Sequence, residues 1–251
     1  QGTATKQFII YNRGKKMINV SSIKVASKSE AKFYLNVDGV KGDEFHDVEI
    51  RGKDSVYVFV ECYIDPTGHD EPVAVDDRID FVTNGVQQSV TLTAWAQDVE
   101  RMVGDTIKAD ARLSGVKPYL IYDTLVVNEG VTLTIDPGVT LLFHDKAALK
   151  VNGTLKALGS MDKNIEMRGD RLDHVVGKIG YDIMSAQWGG VTFGEHSFDN
   201  ELNYVNMRGS TDGVFVTSAD PSRCSLSIFN SVLHNAKNSV LVSHNAWVEA
   251  C

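Results

Sequence analysis

From Pro118 onward the chain is built of apolar residues at spacing two, each group closed by one or two turn residues. This cadence limits the fold more than any other feature. Leu125/Val127 precede Glu129-Gly130, Val131/Leu133/Ile135 precede Asp136-Pro137-Gly138, and Val139/Leu141/Phe143 precede His144-Asp145. Leu149/Val151 then precede Asn152-Gly153, and Leu155/Ala157 precede Leu158-Gly159. Spacing two puts every apolar side chain on one face of a strand. A longer recurrence follows. Val191/Phe193 returns as Val214/Val216 after 23 residues and as Val240/Val242 after a further 26. Leu202/Tyr204 returns as Leu226/Ile228 after 24 and as Val248/Ala250 after a further 22, and Met207 returns as Leu233 after 26. A period of 22 to 26 with two or three short strands in each is that of a β-solenoid. One coil cannot bury its inward residues alone, whereas stacked coils share one continuous core. Leucine-rich repeats have a similar period but need a Leu/Asn pattern that is absent here.

Residues 118–251 are expected to form one domain, and from Tyr119 to Cys251 it resembles the right-handed parallel β-helix proteins of bacterial cell surfaces. The likeness is carried by YDTLVVNEGVTLTIDPGVTLLFHDKAALKVNGTLKALGSMDKNIEM, then WGGVTF, then the LNYVNM and LSIFNS coils. It implies a fold and an exported address, at a bacterial cell surface or in the periplasm, with a lipid anchor as one means of attachment. It implies no single activity, because this fold hosts lyases, hydrolases, adhesins and spacers.

Residues 1–97 have a different texture. Short alternating runs (Phe8–Tyr11, Met17–Val25, Phe33–Val37, Phe45–Ile50, Val56–Cys62, Ile79–Val82 and Val90–Ala94) are separated by turn residues. Asn84-Gly85 is a strong hairpin signal. Seven strands without a helical period predict a β-sandwich. The pattern VSSIKV, FYLNVDG, GKDSVYVFV, IDFVTNG and SVTLTAWA resembles PapD-like immunoglobulin folds. The fold class expected is therefore all-β, an immunoglobulin-like sandwich followed by a parallel β-helix. Residues 98–117, charged and poor in apolar pairs, read as a connector holding at most one short strand or a brief helix.

The formal net charge of −8 argues against nucleic acid, whose phosphates need a basic footprint. No run of eighteen apolar residues is present, so no membrane span is expected. Cys62, Cys224 and Cys251 fit no zinc spacing, and Cys62 lies in an alternating strand.

The densest acidic stretch runs from Asp65 to Asp80. Asp65, Asp70, Asp76 and Asp77 are its candidate ligands for a hard cation such as calcium, although the spacing is not that of an EF-hand loop. No other cofactor is expected. His144-Asp145 reads as a polar turn, since adjacent strand residues face opposite ways. Asn206, Asn230, Asn235, Asn238 and Asn245 read as turn asparagines stacked on successive coils. Asp212 has Asn238 as its counterpart one coil on, with no second carboxylate aligned for glycoside hydrolysis. Asp199 and Glu201 fall in a polar loop. Trp188 is the candidate ligand-binding residue, because an exposed indole stacks on sugar. Beside Gly189-Gly190 it reads more readily as a packing plug under a coil end.

The function expected is a non-catalytic surface module for adhesion, glycan binding or display. Its partners would be an extracellular polysaccharide or a surface protein. The alternative is a polysaccharide lyase or glycoside hydrolase whose active coils lie outside residues 1–251. An outward row of aromatic residues would favour glycan binding, and aligned outward acids would favour the enzyme. The stretch after Val240 has no polar cap, so end-to-end self-association or continuation into further coils is also expected.

Overall fold

The computed structural model describes residues 5–26, 31–64, 73–171, 174–176 and 179–251. The described chain is all-β apart from one short 3-10 turn, Tyr181–Ile183. It divides into two compact units, Gln1–Asp98 and Val99–Cys251.

Among the described residues, the first unit contains eight strands: β1 (Lys6–Tyr11), β2 (Ile18–Val25), β3 (Lys32–Val37), β4 (Val40–Gly42), β5 (Glu44–Ile50), β6 (Ser55–Tyr63), β7 (Val73–Thr83) and β8 (Val86–Ala96). They form two four-stranded antiparallel sheets, ordered β1-β6-β3-β4 and β5-β2-β7-β8. Val20 and Ile23 of one sheet and Leu35, Val58 and Val60 of the other are buried in one core. Asn84-Gly85 turns β7 into β8 with φ of 52° and 79°, the left-handed pair that a tight hairpin requires. Asp38-Gly39 does the same between β3 and β4, which adds a strand to the seven expected. β7 starts earlier than the sequence pattern suggested. Asp76 and Asp77 therefore stand on a strand paired to Thr93 and Leu92, not in an acidic loop.

The second unit is a parallel β-solenoid of six coils. Coil one holds Glu100–Val103, Thr106–Ile107 and Ala111–Leu113; coil two holds Tyr119–Tyr122, Thr124–Val127 and Thr132–Ile135. Coil three holds Thr140–Phe143, Ala148–Val151 and Thr154–Leu158; coil four holds Ile165–Gly169, Gly190–Phe193 and Asn200–Asn203. Coil five holds Val205–Arg208, Val214–Thr217 and Cys224–Phe229; coil six holds Val232–His234, Leu241–His244 and Trp247–Ala250. First strands stack on first strands, second on second and third on third, giving three six-stranded sheets.

Residues 98–117, expected as a connector, thus carry coil one, whose strands pair in parallel with those of coil two. The register of the loose coils also differs from the repeat read in the sequence. Val214 and Val216 align with Leu241 and Ser243, and Leu202 aligns with Ile228. The matches of Val191 to Val214, Leu226 to Val248 and Met207 to Leu233 are as expected. Inward ladders such as Leu125–Leu149–Val191–Val214 fill the interior. At Gly190, with φ of 122°, a Cβ would lie 1.9 Å from the carbonyl oxygen of Asp212 on the next coil, so no side chain fits there.

Candidate functional site

Two surfaces concentrate groups capable of binding. The first is the outer face of the β1-β6-β3-β4 sheet. In β6 the residues Val56, Val58, Val60 and Cys62 point into the core, so Tyr57, Phe59, Glu61 and Tyr63 point out. Tyr57 and Phe59 lie side by side, with ring centroids 6.2 Å apart and planes 18° from parallel. Tyr63 meets Tyr34 of β3 edge-on at 5.7 Å. These four rings are 36 to 48% exposed, and Tyr11 of β1 is 61% exposed. Lys41 pairs with Glu61 at 3.3 Å within the same face. Exposed aromatic groups of this size mark contact surfaces more often than chance.

The second surface is the outer face of the solenoid's first sheet. Ile165, Met167, Val205 and Met207 point inward, which sends Glu166, Arg168, Asn206 and Arg208 outward from coils four and five. Thr140 adjoins Glu166, and His234 of coil six adjoins Arg208. Together with Asp182 and Ile183 they line a cavity of about 410 Å³. Arg208 donates to Glu166, and Asn206 Nδ2 donates to both Glu166 oxygens at 3.0 and 3.2 Å. Burial and the neighbouring Arg208 charge lower the pKa of Arg168, while Glu166 and Asp182 oppose that more weakly. The Tyr181–Ile183 turn is tied down over this face. Gln187 donates to the carbonyls of Tyr181 and Met184, and Asn235 donates to that of Ile183.

Just past the first strands of coils three and four, Nδ1 of His144 and Oδ2 of Asp170 are 2.7 Å apart, and the His144 ring lies 4.5 Å from that of Tyr122. A histidine–carboxylate pair therefore exists, but across one coil, 26 residues away, and not with Asp145. That spacing was the available signal. The alternation of VYVFVECY was likewise the signal for the aromatic face.

Trp188 is not available to a sugar. It is fully buried, stacks on Phe143 at 4.1 Å with planes 9° apart, and donates from Nε1 to the carbonyl of Arg208 at 2.9 Å. Asp65 and Asp70 lie outside the described residues. Asp76 is exposed and accepts from Thr93 Oγ1 at 2.7 Å, whereas Asp77 is buried and accepts from the Arg78 amide, so these two do not converge. Among the described residues, no group of three or more His, Cys, Asp or Glu is placed to hold a metal. Asn238 donates to Asp212, Asn230 to Asn203 and Asn245 to the Ser218 carbonyl, each linking one coil to the next. Asn206 differs from them in standing on a strand inside the cavity. Asp199 pairs with Arg223 and Glu201 with Lys156, so these carboxylates serve as coil contacts.

Among the described residues, no helix is long and apolar enough to cross a membrane. No family model matches the chain, and no solved structure matches it. The chain is similar to Protein bark beetle of Drosophila melanogaster, with 34% identity over 88 residues. That match covers 35% of this chain and 3% of the relative's own length.

Proposed function

We propose that this chain is a non-catalytic, carbohydrate-binding module of an exported surface protein, with the aromatic face of the first unit as its binding surface. The row Tyr57, Phe59 and Tyr63, widened by Tyr34, carries the reading. Exposed rings on a sheet offer flat apolar area to the C–H face of a pyranose, and aromatic side chains supply that area at low entropic cost. The solenoid supports the reading, because neighbouring coils lie ~4.8 Å apart, about one sugar residue. Two antiparallel sheets around one core support an immunoglobulin-like, PapD-like assignment for the first unit. The address proposed is extracellular. The likeness of the first coils to bacterial surface β-helices supports a cell-surface or periplasmic location, where a lipid anchor would hold the protein.

One observation favours the enzymatic alternative: Glu166 and Asp182 line the same cavity. Both Glu166 oxygens already accept hydrogen bonds from Asn206, and Arg208 adds another. That leaves Glu166 tied into the wall, and binding is the better reading of the cavity.

A glycan array probed with the chain and with a Tyr57→Ala/Phe59→Ala variant tests the proposal. The expected result is saturable binding to a defined glycan set by the parent and loss of it in the variant, with circular dichroism unchanged. A parent that binds nothing, or a variant that binds equally well, overturns it. Release of sugars from any polysaccharide on the array overturns the non-catalytic part.

A further inference from the structure

We infer that strand β8 is a self-association edge, at which two copies of this chain pair β8 against β8, antiparallel, about a two-fold axis at Thr91.

The two sheets of the first unit end in β1, β4, β5 and β8. Three of these edges are ill suited to pairing. β4 is three residues long and carries Lys41. β5 carries Glu44, Asp47 and Glu49, and Asp47, at a φ of 52°, drops out of the pairing with β2. β1 has six residues and opens on Lys6. Short, charged or kinked edges protect a sheet against pairing with another chain. β8 has none of these devices. Its eleven residues, VQQSVTLTAWA, include no charge, proline or glycine, and they pair with β7 without a shift of register.

The Asn84-Gly85 turn has two residues, so the flanking Thr83 and Val86 exchange both backbone hydrogen bonds. From there, every second residue of β8 bonds to β7. The residues between, Gln87, Ser89, Thr91 and Thr93, turn their amides and carbonyls to the open edge. These backbone groups have no partner among the described residues.

A second copy fits this edge because β8 is its own complement. Thr91 is the midpoint of Val86–Ala96, so an axis there uses the whole strand. Thr91 then faces Thr91, Ser89 faces Thr93, and Val90 faces Leu92. Val90 and Leu92 are half-buried on the core side, and each gains an apolar neighbour. Ser89, Thr91 and Thr93 are exposed, and their hydroxyls meet on the other side. No like charges on β8 meet, although each copy has a net charge of −8, whereas β5 paired with itself would set acids against acids. Such a pair is isologous and closes at two, because each copy uses up the other's edge. The aromatic face lies on the other sheet, so this contact leaves it uncovered and does not rest on the glycan reading.

Sedimentation equilibrium of the full chain over a concentration series tests the inference. A reversible monomer–dimer equilibrium is expected. Thr91 stands beside Arg78 on the exposed face. Thr91→Lys therefore lines up two cations from each copy across the axis, and should weaken the dimer by about tenfold or more. Mixing Thr91→Lys with Thr91→Glu should restore it as a heterodimer, since opposite charges then meet. Hydrogen exchange gives a check without substitution: the amides of Ser89, Thr91 and Thr93 should exchange more slowly at high than at low protein concentration. A chain that stays monomeric, or amides that exchange alike at both concentrations, overturns the inference. A dimer undiminished in Thr91→Lys places the contact elsewhere, such as the last coil, and also overturns it. Failure of the mixture to restore pairing overturns the axis at Thr91.

Discussion

The indole of Trp188 joins two coils with one side chain. Its ring stacks on Phe143 of coil three and its Nε1 satisfies the Arg208 carbonyl of coil five. Trp188→Ala should therefore destabilise the solenoid by about 3–5 kcal/mol, the usual cost of deleting a large buried ring. Trp188→Phe keeps the stack but orphans the carbonyl, and should cost less, about 1–3 kcal/mol. Urea unfolding of the two variants measures both: equal losses would refute the stack's share, and no loss in Trp188→Phe would refute the carbonyl's. In the sequence, the neighbouring Gly189-Gly190 hinted at a plug, but exposure is not written in a single aromatic residue. Cys62 was more legible, because strict alternation places it inward with Val56, Val58 and Val60. Burial pushes its thiol from 9.0 up to about 11. The folded state thus holds this proton between those values while the unfolded chain releases it. Cys62 accordingly lowers stability as pH rises past 9.0, and it adds no such penalty below. At pH 8, iodoacetamide should label exposed Cys251 in the native protein and reach Cys62 only after unfolding, with mass spectrometry as the readout.

At the scale of elements, legibility followed strand length and regularity. Coils two and three have strands of four or five residues, most of them closed by Gly-containing turns, and their spacing-two cadence is plain in the sequence. Coil one has strands of two to four residues. Asp105, Asp110, Arg101, Lys108 and Arg112 surround so few apolar positions that charge masked the pattern. The late coils misled in a second way. Val214 pairs with Leu241, so a run of apolar neighbours, Val240-Leu241-Val242, permitted a slip by one residue, which reverses the face of every side chain. Between coils three and five the third strands are tied by polar contacts. Asn200 is almost fully buried, accepts from the Leu155 amide at 2.7 Å and donates to the Ser225 carbonyl at 2.7 Å and to Ser197 Oγ at 2.9 Å. One amide thereby clamps coils three, four and five. Asn200→Ala leaves the Leu155 amide and Ser225 carbonyl unpaired and should cost about 2–4 kcal/mol. Asn200→Asp restores the acceptor but not the donor and should recover only part of that, as a melting series would show.

At the scale of the whole chain, the two units have separate cores with no residue in common. The first is held by antiparallel pairs between strands such as β2 and β7, the second by parallel pairs between successive coils. Cooperativity needs shared buried contacts, so each core sets its own transition. Solenoid stability is a sum of coils and the interfaces between them, whereas a sandwich unfolds as one body. Two calorimetric transitions are therefore expected from the intact chain. Leu35→Ala, in the first core, should lower one of them, and Leu133→Ala, in the second, should lower the other, each by about 2–5 kcal/mol. Tryptophan fluorescence of a Trp95→Phe variant sharpens the assignment, because both remaining indoles, Trp188 and Trp247, belong to the solenoid and their emission should shift with the transition that Leu133→Ala moves. A single transition displaced alike by both substitutions would mean that the units fold as one.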